Sequence, residues 1–210
     1  MATVLYIKAS PMKDLSYSVA VADAFIEAYR RANPGDVIET LDVFEDYLPA
    51  FDYQAAAAKY KVMHGKKHSE KERRTWRRII GVINRFKAAD KYVFAVAMWN
   101  FSIPYRLKQY IDVIVQPGQT FSVNEKGQYE GLVKGKRAAV VYARGGAYQQ
   151  GTGAEGFDLQ RRYLELILGF VGISDIKSIV VEPTLAAGAD IAGQRKAEAI
   201  EKAIETAKAF

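Results

Sequence analysis

The 210-residue sequence has no cysteine. That removes disulfides and thiolate metal sites, and it points to a reducing, cytoplasmic setting. Long hydrophobic runs are also missing: stretches such as Val93 to Met98 fall far short of the roughly 20 apolar residues that span a bilayer, so no membrane association is expected. The opening, MATVLYIKAS, carries neither a basic n-region nor a small-residue cleavage signature. Histidine occurs only twice, as His64 and His68, and the residues between them supply positive charge and no carboxylate. The pair predicts solvent-exposed side chains, not a metal site or a Ser-His-Asp triad.

What is present is an ordinary globular composition with a basic bias, a net charge of +6 and a pI near 9.3. At this length one full α/β core is expected, so residues 1–210 are read as a single domain. The cations cluster between Lys59 and Arg78, which raises the question of nucleic acid. In the same segment Trp76, Ile79, Ile80, Ile83 and Phe86 recur at helical spacing, so the cluster reads as the solvated face of an amphipathic helix. No nucleic-acid partner is expected; the positive field would favour anionic dinucleotides.

Along the chain, strand-like and helix-like segments alternate. Thr3 to Ala9 reads as a strand, Ser18 to Ala32 as a helix, and Val37 to Phe44 as a second strand after the turn at Asn33-Pro34-Gly35. Residues 45 to 68 read as loop with one short helix. Ser69 and Glu72 predict a capping box opening a helix to Ala88. Tyr92 to Met98 is apolar on both faces, as a central parallel strand requires. Pro104 suits the first turn of the next helix, which carries Leu107, Ile111 and Ile114 on one side. Thr120 to Val123 and Gln128 to Leu132 predict a hairpin outside the main sheet. Arg137 to Ala143 and Ile176 to Val181 predict the last two strands, with helices Phe157 to Val171 and Ile191 to Lys208. Five strands alternating with helices predict an α/β fold, a doubly wound five-stranded parallel sheet with helices on both faces.

In such sheets ligands bind beyond the carboxyl ends of the strands, which directs attention to three loops. The first, Ser10 to Ser18, sets hydroxyls between a buried strand and a helix start, where free N–H groups and the helix dipole favour an anion. It lacks the lysine of a nucleoside triphosphate loop, so a monophosphate fits it better. The same serines equally suit helix caps. The second loop, Met98-Trp99-Asn100-Phe101, sets a Trp-Asn pair at a strand end, and the third, Ala143-Arg144-Gly145-Gly146, offers paired glycines that admit close approach of a flat ligand. Gly151-Thr-Gly153-Ala-Glu-Gly156 matches GxGxxG by letters but follows a polar loop instead of ending a strand, which argues against a dinucleotide fingerprint.

Taken together, Ser10-Pro11 with Ser16-Tyr17-Ser18, Met98 to Phe101 and Arg144-Gly145-Gly146, plus the segment from Ile103-Pro104 through Leu107-Lys108 to Ile111-Asp112, resemble the FMN-dependent NADH:quinone oxidoreductases, also called azoreductases. The resemblance spans essentially the whole chain. It implies a flavodoxin-like fold, FMN as cofactor, and NADH or NADPH as donor to a quinone or azo acceptor in ping-pong turnover. It further implies a homodimer. By this resemblance Ser10, Ser16, Tyr17 and Ser18 would hold the FMN phosphate, Met98, Trp99, Asn100 and Phe101 would line the isoalloxazine, and Ala143, Arg144, Gly145 and Gly146 would face its O2 and N1 edge. The family usually has Ser-Arg-Gly-Gly in the third loop, so Ala143 is a departure. A flavodoxin-like electron carrier without direct nicotinamide oxidation is the alternative, although such carriers are commonly acidic.

Overall fold

Side chains that point alternately to the two faces of the sheet divide the molecule into two cores. In the computed structural model, which describes all residues from Met1 to Phe210, strands β1 (Thr3–Ala9), β2 (Val37–Asp42) and β3 (Lys91–Ala97) are joined in one parallel sheet by β6 (Arg137–Ala143) and β7 (Asp175–Val181). The order is β2-β1-β3-β6-β7, the arrangement of a flavodoxin-like sheet. Leu5, Ile7, Tyr92, Phe94, Val96, Val140 and Tyr142 point to one face, where α3 (Glu70–Ala88), α4 (Tyr105–Ile114) and α5 (Leu159–Val171) cover them. Val4, Tyr6, Val93, Ala95, Ala139 and Val141 point to the other, against α1 (Tyr17–Ala32) and α6 (Ala189–Lys208). Because the central strands are apolar on both sides, their sequence runs are continuous instead of alternating.

The short helix expected between residues 45 and 68 is α2 (Tyr53–Met63), capped by Asp52. It packs on α3 through Ala55, Ile79 and Ile83. The Ser69–Glu72 capping box is present, and Glu72 also binds Lys61 at 2.7 Å, clipping α2 to α3. The Lys61 ammonium and the Ser69 N–H hold the Glu72 carboxyl down at about 2. From Lys66 to Arg78 the cations are exposed, Lys59 and Lys61 are half-buried, and Ile79, Ile83 and Phe86 are buried; Lys66 and Lys67 precede the helix instead of lying on it.

Several boundaries differ from the sequence expectation for local reasons. β2 ends at Asp42 because the Asp42 carboxylate accepts the Phe44 N–H at 2.9 Å and starts a turn. Pro104 caps α4 from outside, with extended backbone, instead of occupying its first turn. α5 begins at Leu159, since Asp158 accepts the Arg161 N–H as N-cap and residues Glu155–Phe157 form a separate 3-10 turn.

The hairpin of β4 (Phe121–Val123) and β5 (Tyr129–Gly131) is antiparallel and stands outside the main sheet. It docks on the end of α5, where the Val133 N–H donates to the Val171 carbonyl at 2.8 Å. A β-carbon on Gly131 would lie 2.4 Å from both Gly172 N and Val171 C, and backbone on both sides leaves nothing soft to yield. Gly131→Ala is therefore expected to lower the unfolding free energy by about 1–3 kcal/mol, the usual range for overpacking. Gly81→Ala, in open space on helix α3, should instead be neutral or stabilising by up to about 1 kcal/mol. Denaturant unfolding of both variants checks this; equal effects would show that the hairpin is free to move off α5.

Candidate functional site

Two adjoining cavities open at the carboxyl ends of the strands and share one wall, the Trp99 indole. The first, about 300 Å³, receives Ser10, Ser16 and Tyr17 from the loop after β1 and Met98 and Trp99 from the loop after β3. Ala143 at the end of β6, Gly145 just after it, and Thr184 and Leu185 after β7 close it. The second, about 520 Å³, lies between Phe44, Trp99, Asn100, Ile103, Tyr105 and Lys108. Both volumes are in the range of small-molecule sites. No Asp, Glu, His, Lys or Arg lines the first cavity.

The loop after β1 is a cradle of dipoles. Ser16 is the N-cap of α1: its Oγ accepts the Val19 N–H at 3.3 Å and sits 3.1 Å from the buried Ser18 Oγ. Ser10 Oγ accepts the Met12 N–H in a long contact of 3.4 Å. The capping reading of Ser16 is thus realised, yet the N–H groups of Tyr17 and Ser18 have no partner in the chain. Those free donors at the positive end of a 16-residue helix are suited to an anion.

Strain marks the loop after β3. Trp99 and Ser102 exchange two backbone hydrogen bonds, at 2.9 and 3.0 Å, around a two-residue turn whose central residues are both left-handed, Asn100 at φ +46° and Phe101 at φ +67°. Asn-Gly is the usual pair for such a turn, and a phenylalanine there costs about 1–3 kcal/mol. The turn keeps Trp99 half-exposed beside the cavities and swings Phe101 toward Phe157 and Tyr148, with ring centroids 5.1 and 6.3 Å away.

The loop after β6 contributes backbone. The N–H groups of Gly145 and Gly146 have no partner in the chain. A β-carbon on Gly145 would crowd Leu185 Cδ1 at 3.1 Å, and one on Gly146 would crowd Tyr148 Oη at 3.1 Å. The Arg144 side chain turns away from the cavity into an ion network with Asp158 and Glu182.

Of the residues singled out from sequence, Ser10, Ser16, Tyr17, Met98, Trp99, Ala143 and Gly145 line the first cavity, and Trp99 and Asn100 line the second. Ser18, Phe101, Arg144 and Gly146 line neither cavity: Ser18 and Arg144 are buried, Gly146 is half-buried and the Phe101 ring is exposed. Thr184 and Leu185 were missed although they directly follow β7, the position the strand-end rule marks. Ile103, Pro104 and Lys108 lie in the segment singled out from sequence, but Phe44 and Tyr105 gave no signal there, because their meeting depends on how the post-β2 segment folds back on α4. There the Arg106 guanidinium donates to the Val43 and Asp46 carbonyls at 2.7 and 3.1 Å. Lys108 binds both oxygens of Asp112 at 2.6 and 2.7 Å; burial opposes its charge, but Asp112 outweighs burial and its pKa lies above the usual lysine value.

The remaining motifs have structural roles. Around Gly151 to Gly156 the Glu155 carboxylate takes up the surrounding N–H groups, Gly151's among them, so the chain's own anion fills the turn that a phosphate would need. His64 is exposed, as expected, but His68 is half-buried because its Nε2 meets the Ala58 carbonyl at 2.9 Å. No group of three or more His, Asp or Glu residues is placed to hold a metal.

With this geometry in view, the family model described as "Flavodoxin-like fold" matches residues 2–207. The chain is 57% identical over 210 residues to an FMN-dependent NADH:quinone oxidoreductase of Nitratidesulfovibrio vulgaris, covering all of both chains. Among solved structures it is similar to an azoreductase from Bacillus anthracis, with TM-score 0.92, 30% identity and full coverage of both chains. It is also similar to an FMN-dependent NADH-azoreductase from Bacillus anthracis in complex with FMN, with TM-score 0.87, 29% identity, and coverage of 99% of this chain and 100% of the other.

Asparagine at the first left-handed position of this turn should matter to stability. Asn100→Ala is expected to lower the unfolding free energy of the ligand-free protein by about 1 kcal/mol, because a β-carbon without asparagine's local hydrogen bonding opposes that conformation. Urea unfolding of parent and variant measures this. No loss of stability would mean that the Asn100 side chain does not hold the turn.

Proposed function

The chain belongs to the family with the flavodoxin-like fold, and from that membership we propose that it is an FMN-dependent NADH:quinone oxidoreductase with azoreductase activity. The observation that carries this reading is the first cavity itself. It has anion donors at one end, unpaired glycine N–H groups on another wall, aromatic surface between, and no titratable carboxylate, ammonium or imidazole. Such a site has no carboxylate, ammonium or imidazole for general acid–base work, but it suits a flat cofactor with a phosphate tail, which the donor set fits.

In this reading the Ser10, Ser16 and Ser18 hydroxyls and the Tyr17 and Ser18 N–H groups hold the FMN phosphate. Met98, Trp99, Asn100 and Phe101 line the isoalloxazine. Gly145 and Gly146 direct N–H groups at its pyrimidine edge, and Ala143 gives the loop its floor. Arg144 contributes from the interior. When bound, FMN supplies the redox chemistry, taking a hydride equivalent from NADH or NADPH and passing two electrons to a quinone or azo acceptor. The second cavity, walled by Phe44, Trp99 and Tyr105, gives planar conjugated molecules a place to stack in turn. One shared place for donor and acceptor implies ping-pong turnover.

We further place the protein, residues 1–210 acting as one domain, in the cytoplasm as a homodimer. The absence of cysteine fits a reducing compartment. No helix is long and apolar enough to cross a membrane. Exposed Met12, Leu15 and Leu185 around the first cavity supply apolar surface that a second subunit could cover.

The decisive experiment is anaerobic mixing of FMN-loaded protein with NADH alone, which should bleach the flavin absorbance before any acceptor is added. Rates over a grid of NADH and quinone concentrations should give parallel double-reciprocal lines. Slow bleaching that needs a separate reductase would make the chain an electron carrier instead. FMN should also bind in preference to riboflavin; equal affinity would remove the phosphate cradle from the proposal.

The serines have two roles that one double variant separates. Ser16→Ala with Ser18→Ala should cost apoprotein stability about 0.5–2 kcal/mol, since Ser16 is an N-cap. FMN affinity should fall further, by about 1.5–3 kcal/mol for each charge-assisted bond lost. Titration calorimetry and thermal unfolding of the apoprotein supply both numbers. A stability loss as large as the affinity loss would leave these serines as caps alone.

A further inference from the structure

Arg144 is the only lysine or arginine among the buried residues of the chain. Its Nε donates to Gln160 Oε1 at 3.1 Å and its Nη1 to Glu182 Oε2 at 3.2 Å, while Nη2 lies 2.8 Å from Asp158 Oδ2 as an ion pair. These acceptors come from two elements, the start of α5 and the segment that leaves β7. Gln160 extends the network to β3 by donating to the Val96 carbonyl at 3.1 Å. Glu182 also accepts the Tyr148 N–H at 3.1 Å, which ties down the far end of the same loop.

The backbone around Arg144 is fixed as firmly. Its N–H donates to the Val181 carbonyl at 3.0 Å, and its own carbonyl accepts from both Thr184 N and Thr184 Oγ1 at 2.9 Å. The Gly145 carbonyl accepts from Leu185 N and Ala186 N at 3.0 and 2.9 Å. A trans peptide points its carbonyl and the next N–H in opposite directions. Anchoring these two carbonyls on residues 184–186 therefore turns the N–H groups of Gly145 and Gly146 away from that segment, and both remain without partners.

A buried ion network of this kind seldom adds stability over apolar packing. What it does supply is a fixed geometry. We propose that Arg144 is a positioning residue: without touching the cofactor, it clamps the loop between α5 and β7 so that the Gly145 and Gly146 N–H groups are aimed where negative charge develops on the pyrimidine edge of FMN during reduction. Donors fixed in advance favour the reduced cofactor over the oxidised one. The inference rests on the FMN reading of the cleft.

Two variants that preserve net charge test it. Arg144→Lys keeps the cation but cannot reach three acceptors in a planar fork. Gln160→Met removes one acceptor and the link to Val96. For each, the readouts are the dissociation constant of oxidised FMN, the midpoint potential of bound FMN by spectroelectrochemistry, and the unfolding midpoint of the apoprotein. In Arg144→Lys the reduced form should lose about tenfold more affinity than the oxidised form, a fall in potential of about 30 mV for a two-electron couple. Gln160→Met should move the potential the same way by less. An unshifted potential in both variants, whatever happens to stability, overturns the proposal and makes the network purely structural. Should Arg144→Lys not fold, Gln160→Met decides by the same criterion. Failure of the unaltered protein to bind FMN would remove the cofactor reading itself, an outcome distinct from bound FMN whose potential does not move.

Discussion

Strands β1 and β3 are neighbours, yet the helices that follow them pack on opposite faces of the sheet, α1 on one and α4 on the other. The site depends on the crevice this divergence leaves. Neither loop can cross over the strand ends without burying unpaired backbone, so the two loops part and their polar groups are left facing the gap. Helix α1 starts at the edge of that gap with its first N–H groups unpaired. The Trp99 turn forms the opposite lip. The apolar residues of the two cores, packed against helices on both faces of the sheet, hold both lips in place.

Different loops reach rigidity by different means. The β1 loop relies on a helix cap, the β3 loop on a hydrogen-bonded turn that tolerates two left-handed residues, and the β6 loop on a buried guanidinium. The last two are expensive locally, one in backbone strain and the other in desolvated charge. Costs of that kind persist where surrounding contacts over-determine the conformation. Here the Leu159 N–H holds the Phe101 carbonyl at 3.1 Å, and Gln160 in the same helix start holds Arg144. The start of α5 therefore braces two of the three loops, linking the strained turn to the ion network.

Much of this was legible in the sequence, and the reasons are specific. The apolar runs Thr3 to Ala9, Tyr92 to Met98 and Arg137 to Ala143 mark buried parallel strands because nothing else so short is apolar on both sides. Ser69 with Glu72 marks a helix start because each group satisfies the other's backbone. The three loops that line the cavities were visible because strand ends are where an open sheet exposes its loops, although Ser18, Phe101, Arg144 and Gly146 line neither cavity. Three features were not. The direction of the Arg144 side chain depends on Asp158, Gln160 and Glu182, which are 14, 16 and 38 positions away. The left-handed turn at Asn100-Phe101 carries no glycine to announce it. The second cavity needs Phe44 and Tyr105 to meet edge to face, with centroids 5.8 Å apart, and no periodicity encodes that.

That second cavity also separates the two functional readings by a physical argument. A protein that only relays electrons needs an exposed cofactor edge, and tunnelling to a docked partner requires no room for a small molecule against the ring. An enzyme that exchanges electrons with a nicotinamide and then a quinone must admit each flat molecule within contact distance of the same ring. The space of about 520 Å³ beside Trp99 answers the second requirement and serves no purpose under the first. Its walls are mostly aromatic and apolar, with the Lys108 ammonium largely engaged by Asp112. Stacking and exclusion of water would then govern selection there, and both discriminate by planarity more than by substituent. Under the proposed function, a site of this composition would accept a breadth of conjugated acceptors, so azo compounds and quinones would share it without any residue dedicated to either.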